Sequence, residues 1–191
     1  MRVVGGKYKN RKLVAPKGKE TRPTLDKTRE ALFDILTSTL KKEGRKWADV
    51  IFLDVFAGTG AVGIEAISRG AKKAFFIENA QEALECIRTN AEGMDNAVIC
   101  PVDALMPPFT SVPADIAFLD APYYLQLWEK ALTSLKNNGW LTTQTIIVVE
   151  VARKEESILP AGFEVADHRL YGKNKLLFCR VKKEETQNVA V

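Results

Sequence analysis

From residue 50 onward the chain alternates short apolar runs with amphipathic stretches of helical length, and this rhythm restricts the possible folds more than any other feature. Apolar runs without period-2 alternation belong to strands covered on both faces, and the intervening stretches supply the crossovers, so a parallel sheet with helices on both sides is expected. Strands are predicted at Ile51 to Val55, Ala74 to Glu78, Ala97 to Cys100, Ile116 to Asp120 and Ile146 to Val151. Helices are predicted at Ala61 to Arg69, Gln81 to Glu92 and Leu125 to Leu135. The rhythm breaks near the C-terminus, where Phe163 to Leu170 and Lys175 to Val181 are separated only by turn residues around YGKN. That gap admits a hairpin but not a helical crossover. The expected class is α/β, a mostly parallel sheet closed by an antiparallel pair.

The 191 residues, 46% of them apolar, can bury one sizeable core but not two ordinary ones. No apolar run approaches the roughly 20 residues of a membrane-spanning helix, and MRVVGGKYKNRK contains no apolar stretch of signal-peptide length. A cytoplasmic protein is expected, with no membrane partner. Cys86, Cys100 and Cys179 are widely spaced and His168 is the only histidine, so neither a disulfide framework nor a metal site is expected. His168 lies in an alternating stretch and reads as an exposed strand residue, which removes triad hydrolases and metalloproteases from consideration.

Charge is unevenly distributed. Residues 1 to 46 hold 14 Lys or Arg against 5 Asp or Glu, whereas the remainder holds 14 against 19. Clustered cations bind polyanions by releasing condensed counterions, so the N-terminal segment is a candidate nucleic-acid contact. Arg2 to Val4 and Lys12 to Ala15 are predicted to pair as a basic hairpin. Tyr8 stands among Lys7, Lys9, Arg11 and Lys12, an arrangement suited to phosphate contact with base stacking. In TRPTLDKTREALFDILTSTL, Leu25, Thr28, Leu32, Ile35, Leu36 and Leu40 follow helical spacing, with Thr24 as expected N-cap and Asp26 in the first turn. The chain thus divides into a basic extension over 1–46, a globular domain over 47–183, and a frayed tail over 184–191.

LDVFAGTGAVGIEA places Gly58, Gly60 and Gly63 in a G-x-G-x-x-G arrangement after a strand and at a helix start. Such glycines either let backbone amides approach a ligand or merely allow close helix-to-strand packing. Glu78, 20 residues beyond Gly58, ends the next strand where a carboxylate accepts from ribose hydroxyls. NAD and S-adenosylmethionine both carry such a ribose. Asp54, before the glycine turn, favours the latter, whose ammonium and sulfonium tolerate a nearby carboxylate. Asp103 follows the third strand, within reach of an adenine amino group.

The fourth strand ends in IAFLDAPYY, delivering Asp120, Ala121, Pro122 and Tyr123 to the carboxyl edge of the sheet, where ligands bind in such folds. An exocyclic base amine is a poor nucleophile because its lone pair is delocalised. A carboxylate and a carbonyl accepting its protons would localise that pair and stabilise the charge developing on methyl transfer. Tyr123 would stack on the extruded base.

On these residues the chain resembles the RsmD family of bacterial 16S ribosomal RNA guanine-N2 methyltransferases, within the Rossmann-like class I methyltransferase fold. The resemblance covers RVVGGKYKNRKL, TRPTLDKTREALFDIL, DVFAGTGAVGIEAISRGA, FFIE and the DAPY turn. It implies a seven-stranded sheet, S-adenosylmethionine as cofactor, and 16S rRNA or the assembling small subunit as partner; the oligomeric state is left open, with a monomer favoured. It also implies cofactor contacts from Asp54, Phe56, Gly58, Gly60, Glu78 and Asp103, and a catalytic turn of Asp120, Pro122 and Tyr123. Arg22 and Thr24 would border the site on the RNA side. Ala121 replaces the first proline of the family's DPPY, and Asn10 stands where glycine is common. The residues alone leave open a DNA adenine-N6 methyltransferase, an NAD-dependent oxidoreductase, and a non-catalytic RNA-binding protein on the same fold.

Overall fold

The computed structural model describes residues 1–16, 23–123 and 125–183, with side chains from residue 26 onward in the first helix. Four α-helices accompany seven strands: α1 (Pro23–Lys42), β1 (Ile51–Val55), α2 (Ala61–Ser68), β2 (Lys73–Glu78), α3 (Gln81–Asn90), β3 (Ala97–Pro101), β4 (Ile116–Leu119), α4 (Leu127–Asn137), β5 (Ile146–Ala152), β6 (Phe163–Tyr171) and β7 (Asn174–Val181). The sheet runs β3-β2-β1-β4-β5-β7-β6. β1 to β5 are parallel, and β7 is inserted antiparallel between β5 and β6.

Both faces of the central strands β1, β4 and β5 are buried, which accounts for their unbroken apolar runs. One face packs Phe52, Phe76, Ile116, Phe118 and Val148 under α1 and α2. On the other, Leu53, Val55, Ala117, Leu119 and Val149 pack against Trp128, Leu132 and Leu135 of α4. In α1 the helical spacing buries Leu32, Phe33, Leu36 and Leu40, and Phe33 stacks on Phe52 with ring centroids 6.0 Å apart.

The N-terminal segment joins this same core. Val3 and Leu13 are buried, and Arg2 and Lys12 form a single antiparallel bridge where two short strands were expected. Asn10 closes the turn at φ 70°, a left-handed conformation that asparagine tolerates better than most residues. Beneath lies a buried ion cluster: Glu65 of α2 accepts from the Val4 N–H (2.8 Å) and Arg69 Nε (2.8 Å), while Arg29 of α1 donates to the Arg2 carbonyl (2.6 Å) and Asp26 (2.8 Å). α1, α2 and the arm are thereby fixed to one another.

Two helix starts differ from expectation. α1 begins at Pro23, so Thr24 lies inside the first turn instead of capping it; proline's fixed φ suits the first helical position, where no N–H is needed. α4 begins at Leu127, because Gln126 adopts φ 52° and cannot belong to the helix.

Candidate active site

The strands β1, β2, β3 and β4 all end at one rim, and each delivers a carboxylate there. Asp54, on β1, is 2% exposed and accepts the Gly63 N–H at 2.8 Å. Burial pushes its carboxyl up to about 8; the Gly63 hydrogen bond opposes this and nearby Glu78 adds to it. After β1 the chain turns through Phe56, Gly58 and Gly60, at φ 58°, 56° and 74°. Left-handed backbone at an aromatic residue is strained, and such strain concentrates at functional turns.

The three glycines do different work. A Cβ on Gly63 would lie 2.3 Å from Phe76 Cε1, and one on Gly60 3.2 Å from the same atom, so both permit α2 to sit close on β2. Gly58 would meet nothing nearer than 3.9 Å and faces open space. Close packing and ligand approach, alternatives when read from sequence, are thus divided between positions.

Glu78 is held by three backbone amides. Gly58 donates to Oε2 and Asn79 and Ala80 donate to Oε1, each at 2.8 Å. The carboxylate is therefore oriented before any ligand arrives, and Oε2 retains acceptor capacity for a hydroxyl. Asp103 accepts the Leu105 N–H through Oδ1 at 2.9 Å. These side chains line a groove of about 700 Å³ that also includes Phe56, Gly58, Ala121, Pro122 and Tyr123, a size suited to a nucleoside-sized ligand.

Asp120 stands at the junction. Its N–H donates to the Val55 carbonyl at 3.3 Å, and it borders both the groove and a smaller hollow of about 170 Å³ lined by Thr28, Arg29, Asp54, Phe56, Gly58 and Glu150. Asp120 itself is exposed, Ala121 is buried beneath the turn, and Pro122 and Tyr123 face outward. Five residues separate Asp120 from the last residue before α4, so the turn does not serve simply to start a helix. Tyr123 Oη donates to Glu150 Oε1 at 3.3 Å, and Asn174 Nδ2 donates to the same oxygen. Burial, then the charges of Asp120 and Glu150, raise the Tyr123 phenol, so it acts as a neutral donor and ring, not a base.

The structure thus gathers Asp54, Phe56, Gly58, Gly60, Glu78, Asp103, Asp120, Pro122 and Tyr123 at one rim. It places Lys7, Tyr8, Lys9 and Arg11 elsewhere, in the turn of the N-terminal segment, while Lys12 is bridged to Arg2, next to Met1 at the smaller hollow. The Lys7 and Tyr8 amides donate to the Ser68 carbonyl (2.7 Å) and Oγ (2.9 Å), at the far end of α2, about 12 Å along that helix from the glycine turn. There the Tyr8 ring lies 5.1 Å from Lys7 Nζ and 5.8 Å from Arg11 Cζ. Arg22 lies outside the described residues, and of Thr24 only the backbone, in α1, is described. Sequence reasoning placed Thr28 only in the spacing of the first helix and passed over Arg29 and Glu150. Glu150 carried a usable signal, as an acid set inside the otherwise apolar run IIVVEVA. No group of His, Cys, Asp or Glu among the described residues is arranged to hold a metal ion, and no described helix is long and apolar enough to cross a membrane.

A seven-stranded sheet with an inserted antiparallel β7, a glycine turn after β1 and acids at successive strand ends defines a Rossmann-like class I methyltransferase fold. The family model described as conserved hypothetical protein 95, the RsmD family, matches residues 1–180, and the chain belongs to that family. Ribosomal RNA small subunit methyltransferase D of Escherichia coli K12 is 35% identical over 157 residues, 78% of this chain and 74% of that protein. Its Haemophilus influenzae namesake is 29% identical over 90% of this chain and 89% of its own length. The solved structure of yhhF, a candidate methyltransferase from Escherichia coli, superposes with a TM-score of 0.78 at 30% identity, covering 95% of this chain and 98% of that one.

Proposed function

We propose that this chain transfers a methyl group from S-adenosylmethionine to the exocyclic N2 amine of a guanine in small-subunit ribosomal RNA. The observation that carries the proposal is the position of Asp120, which borders at once the nucleoside-sized groove and the hollow behind the glycine turn. The names of the relatives supply the RNA.

The side chains fit the cofactor: Gly58 leaves room for it, Glu78 is preset to receive ribose hydroxyls, Asp103 borders the adenine end, and Asp54 faces the hollow where an ammonium would be welcome. When bound, S-adenosylmethionine supplies an electrophilic methyl on a sulfonium. Asp120 accepts one N–H of the target amine, and the Ala121 carbonyl stands beside it as a second acceptor. Localising the nitrogen lone pair in this way stabilises positive charge developing on nitrogen, and Asp120 receives the proton released as the new C–N bond forms and the C–S bond breaks. Tyr123 supplies a ring for the extruded base, its hydroxyl held by Glu150. The basic arm would hold flanking RNA by its phosphates.

Mass spectrometry of rRNA nucleosides from cells lacking the protein tests the proposal, with loss of a single N2-methylguanine as the expected result. An intact complement of methylguanines, or methyl transfer by the purified protein to DNA and not to rRNA, would overturn it.

A further inference from the structure

We infer that Glu150 reads the Watson–Crick edge of the target base, accepting the N1–H of guanine beside the amine held by Asp120. The inference rests on the N2-methylation reading above and adds the residue that would select the purine.

Leu119 of β4 is in register with Val149 of β5, so the next residues along the two parallel strands, Asp120 and Glu150, are lateral neighbours at the rim. Both line the smaller hollow. Glu150 is only 9% exposed, yet no cation pairs with it among the described residues, and both its hydrogen bonds, from Tyr123 and Asn174, fall on Oε1. Oε2 receives none. The cation sharing the hollow, Arg29, is already directed to the Arg2 carbonyl, Asp26 and Glu65. Oε1 is thus satisfied within the protein, whereas Oε2 accepts nothing from it yet remains accessible on a residue that lines the hollow, which leaves it open to a donor arriving with the substrate.

The chemistry of the bases identifies that donor. Guanine presents N1–H and N2–H₂ side by side, two donors for two adjacent carboxylates. Adenine presents a donor at N6 next to an unprotonated N1, whose lone pair would confront the Glu150 oxygen, and that repulsion would reject it. Glu150 would then do two things: steady Tyr123 through Oε1 and select guanine through Oε2.

The experiment uses unmethylated 16S rRNA, free and reconstituted into small subunits, carrying either guanine or 2-aminopurine at the mapped target. 2-Aminopurine keeps the N2 amine but lacks the N1 proton. The wild-type protein should favour guanine by about tenfold or more in kcat/KM. Glu150→Gln keeps an oxygen for Tyr123 and Asn174 but turns an N–H₂ toward the hollow, so it should lose about tenfold or more on guanine and favour 2-aminopurine. Its affinity for S-adenosylmethionine should be unchanged. An unaltered guanine preference in the variant, or an equal loss on both substrates, would overturn the inference and leave Glu150 a prop for Tyr123. Should the variant fail to fold, the wild-type comparison decides alone: equal rates on the two bases refute the readout. If wild-type protein methylates neither base in either RNA form, the N2-methylation reading falls, and the inference with it.

Discussion

Alanine at Gly63 and alanine at Gly58 should fail in different ways. At Gly63 the added Cβ would lie 2.3 Å from Phe76 Cε1 and 2.8 Å from Cζ, whereas carbon pairs rest near 3.5 Å, so the ring must retreat by about 1.2 Å. Phe76 is fully buried and has nowhere to go. Overpacking of this kind costs about 1–3 kcal/mol, and in a domain of this size each kcal/mol lowers Tm by about 2–4 °C. A fall of about 2–12 °C is expected, relieved in the Gly63→Ala, Phe76→Leu double variant. S-adenosylmethionine affinity at 25 °C should hardly change, because the folded state still dominates and Gly63 lines neither hollow. At Gly58 nothing obstructs the Cβ, and the left-handed φ of 56° costs about 1–2 kcal/mol. There the methyl group would enter the space proposed for the cofactor, so binding should be lost with only a modest drop in Tm. Thermal unfolding and isothermal titration with S-adenosylmethionine read the two effects. A Gly63→Ala protein as stable as wild type, or one that loses binding while Gly58→Ala keeps it, would refute this division of roles.

Three further outcomes are expected. The Asp54 carboxyl titrates near 8 in the folded protein against 3.8 unfolded, so between those values the folded state holds a proton that the unfolded chain has released, and stability from this group is lost as pH rises through that window. Urea unfolding of Asp54→Asn across pH 5–8 should show a flatter decline than wild type, and titrations in buffers of different ionisation enthalpy at pH 7 should show wild type releasing a proton on binding S-adenosylmethionine that the variant does not; parallel curves and equal proton release would contradict the assignment. Replacing Lys7, Lys9, Arg11 and Lys12 with alanine should weaken rRNA binding and flatten its salt dependence by about 0.7 in log–log slope for each phosphate no longer neutralised, measured by filter binding. An unchanged slope would place the RNA elsewhere. Glu65→Ala leaves Arg29 and Arg69 without their buried partner and should cost about 3–5 kcal/mol in urea unfolding; a loss below about 1 kcal/mol would show that the arm is held by its apolar packing alone.

The sheet was legible because its central strands β1, β4 and β5 are covered on both faces, which forces apolar runs bounded by turns. Strand limits came within a residue or two for the same reason. Helix starts were less legible, since Thr24 has the chemistry of a cap but Pro23 precedes it, and nothing local announced that Gln126 would turn left-handed. The triple glycine pointed to the right loop but could not apportion roles, because Phe76 and Ile87, which crowd Gly60 and Gly63, come from elements further along the chain. Glu150 was passed over for a related reason: its meaning lies in the register of β5 on β4, a relation between residues 30 apart. The basic arm was legible as charge, not as place. Only the hydrogen bonds to Ser68 set its turn at the far end of α2, while its base, through Met1, reaches the smaller hollow.

The most direct test compares wild type with Asp120→Asn for transfer of labelled methyl from S-adenosylmethionine to unmethylated 16S rRNA, free and assembled, with cofactor affinity measured on the same preparations. Asparagine keeps the shape but loses the charge and one acceptor, so the rate should fall about 10²–10³-fold while affinity for the cofactor stays at the wild-type value. Wild-type turnover from Asp120→Asn would contradict the assignment of this rim as the place where the amine is activated.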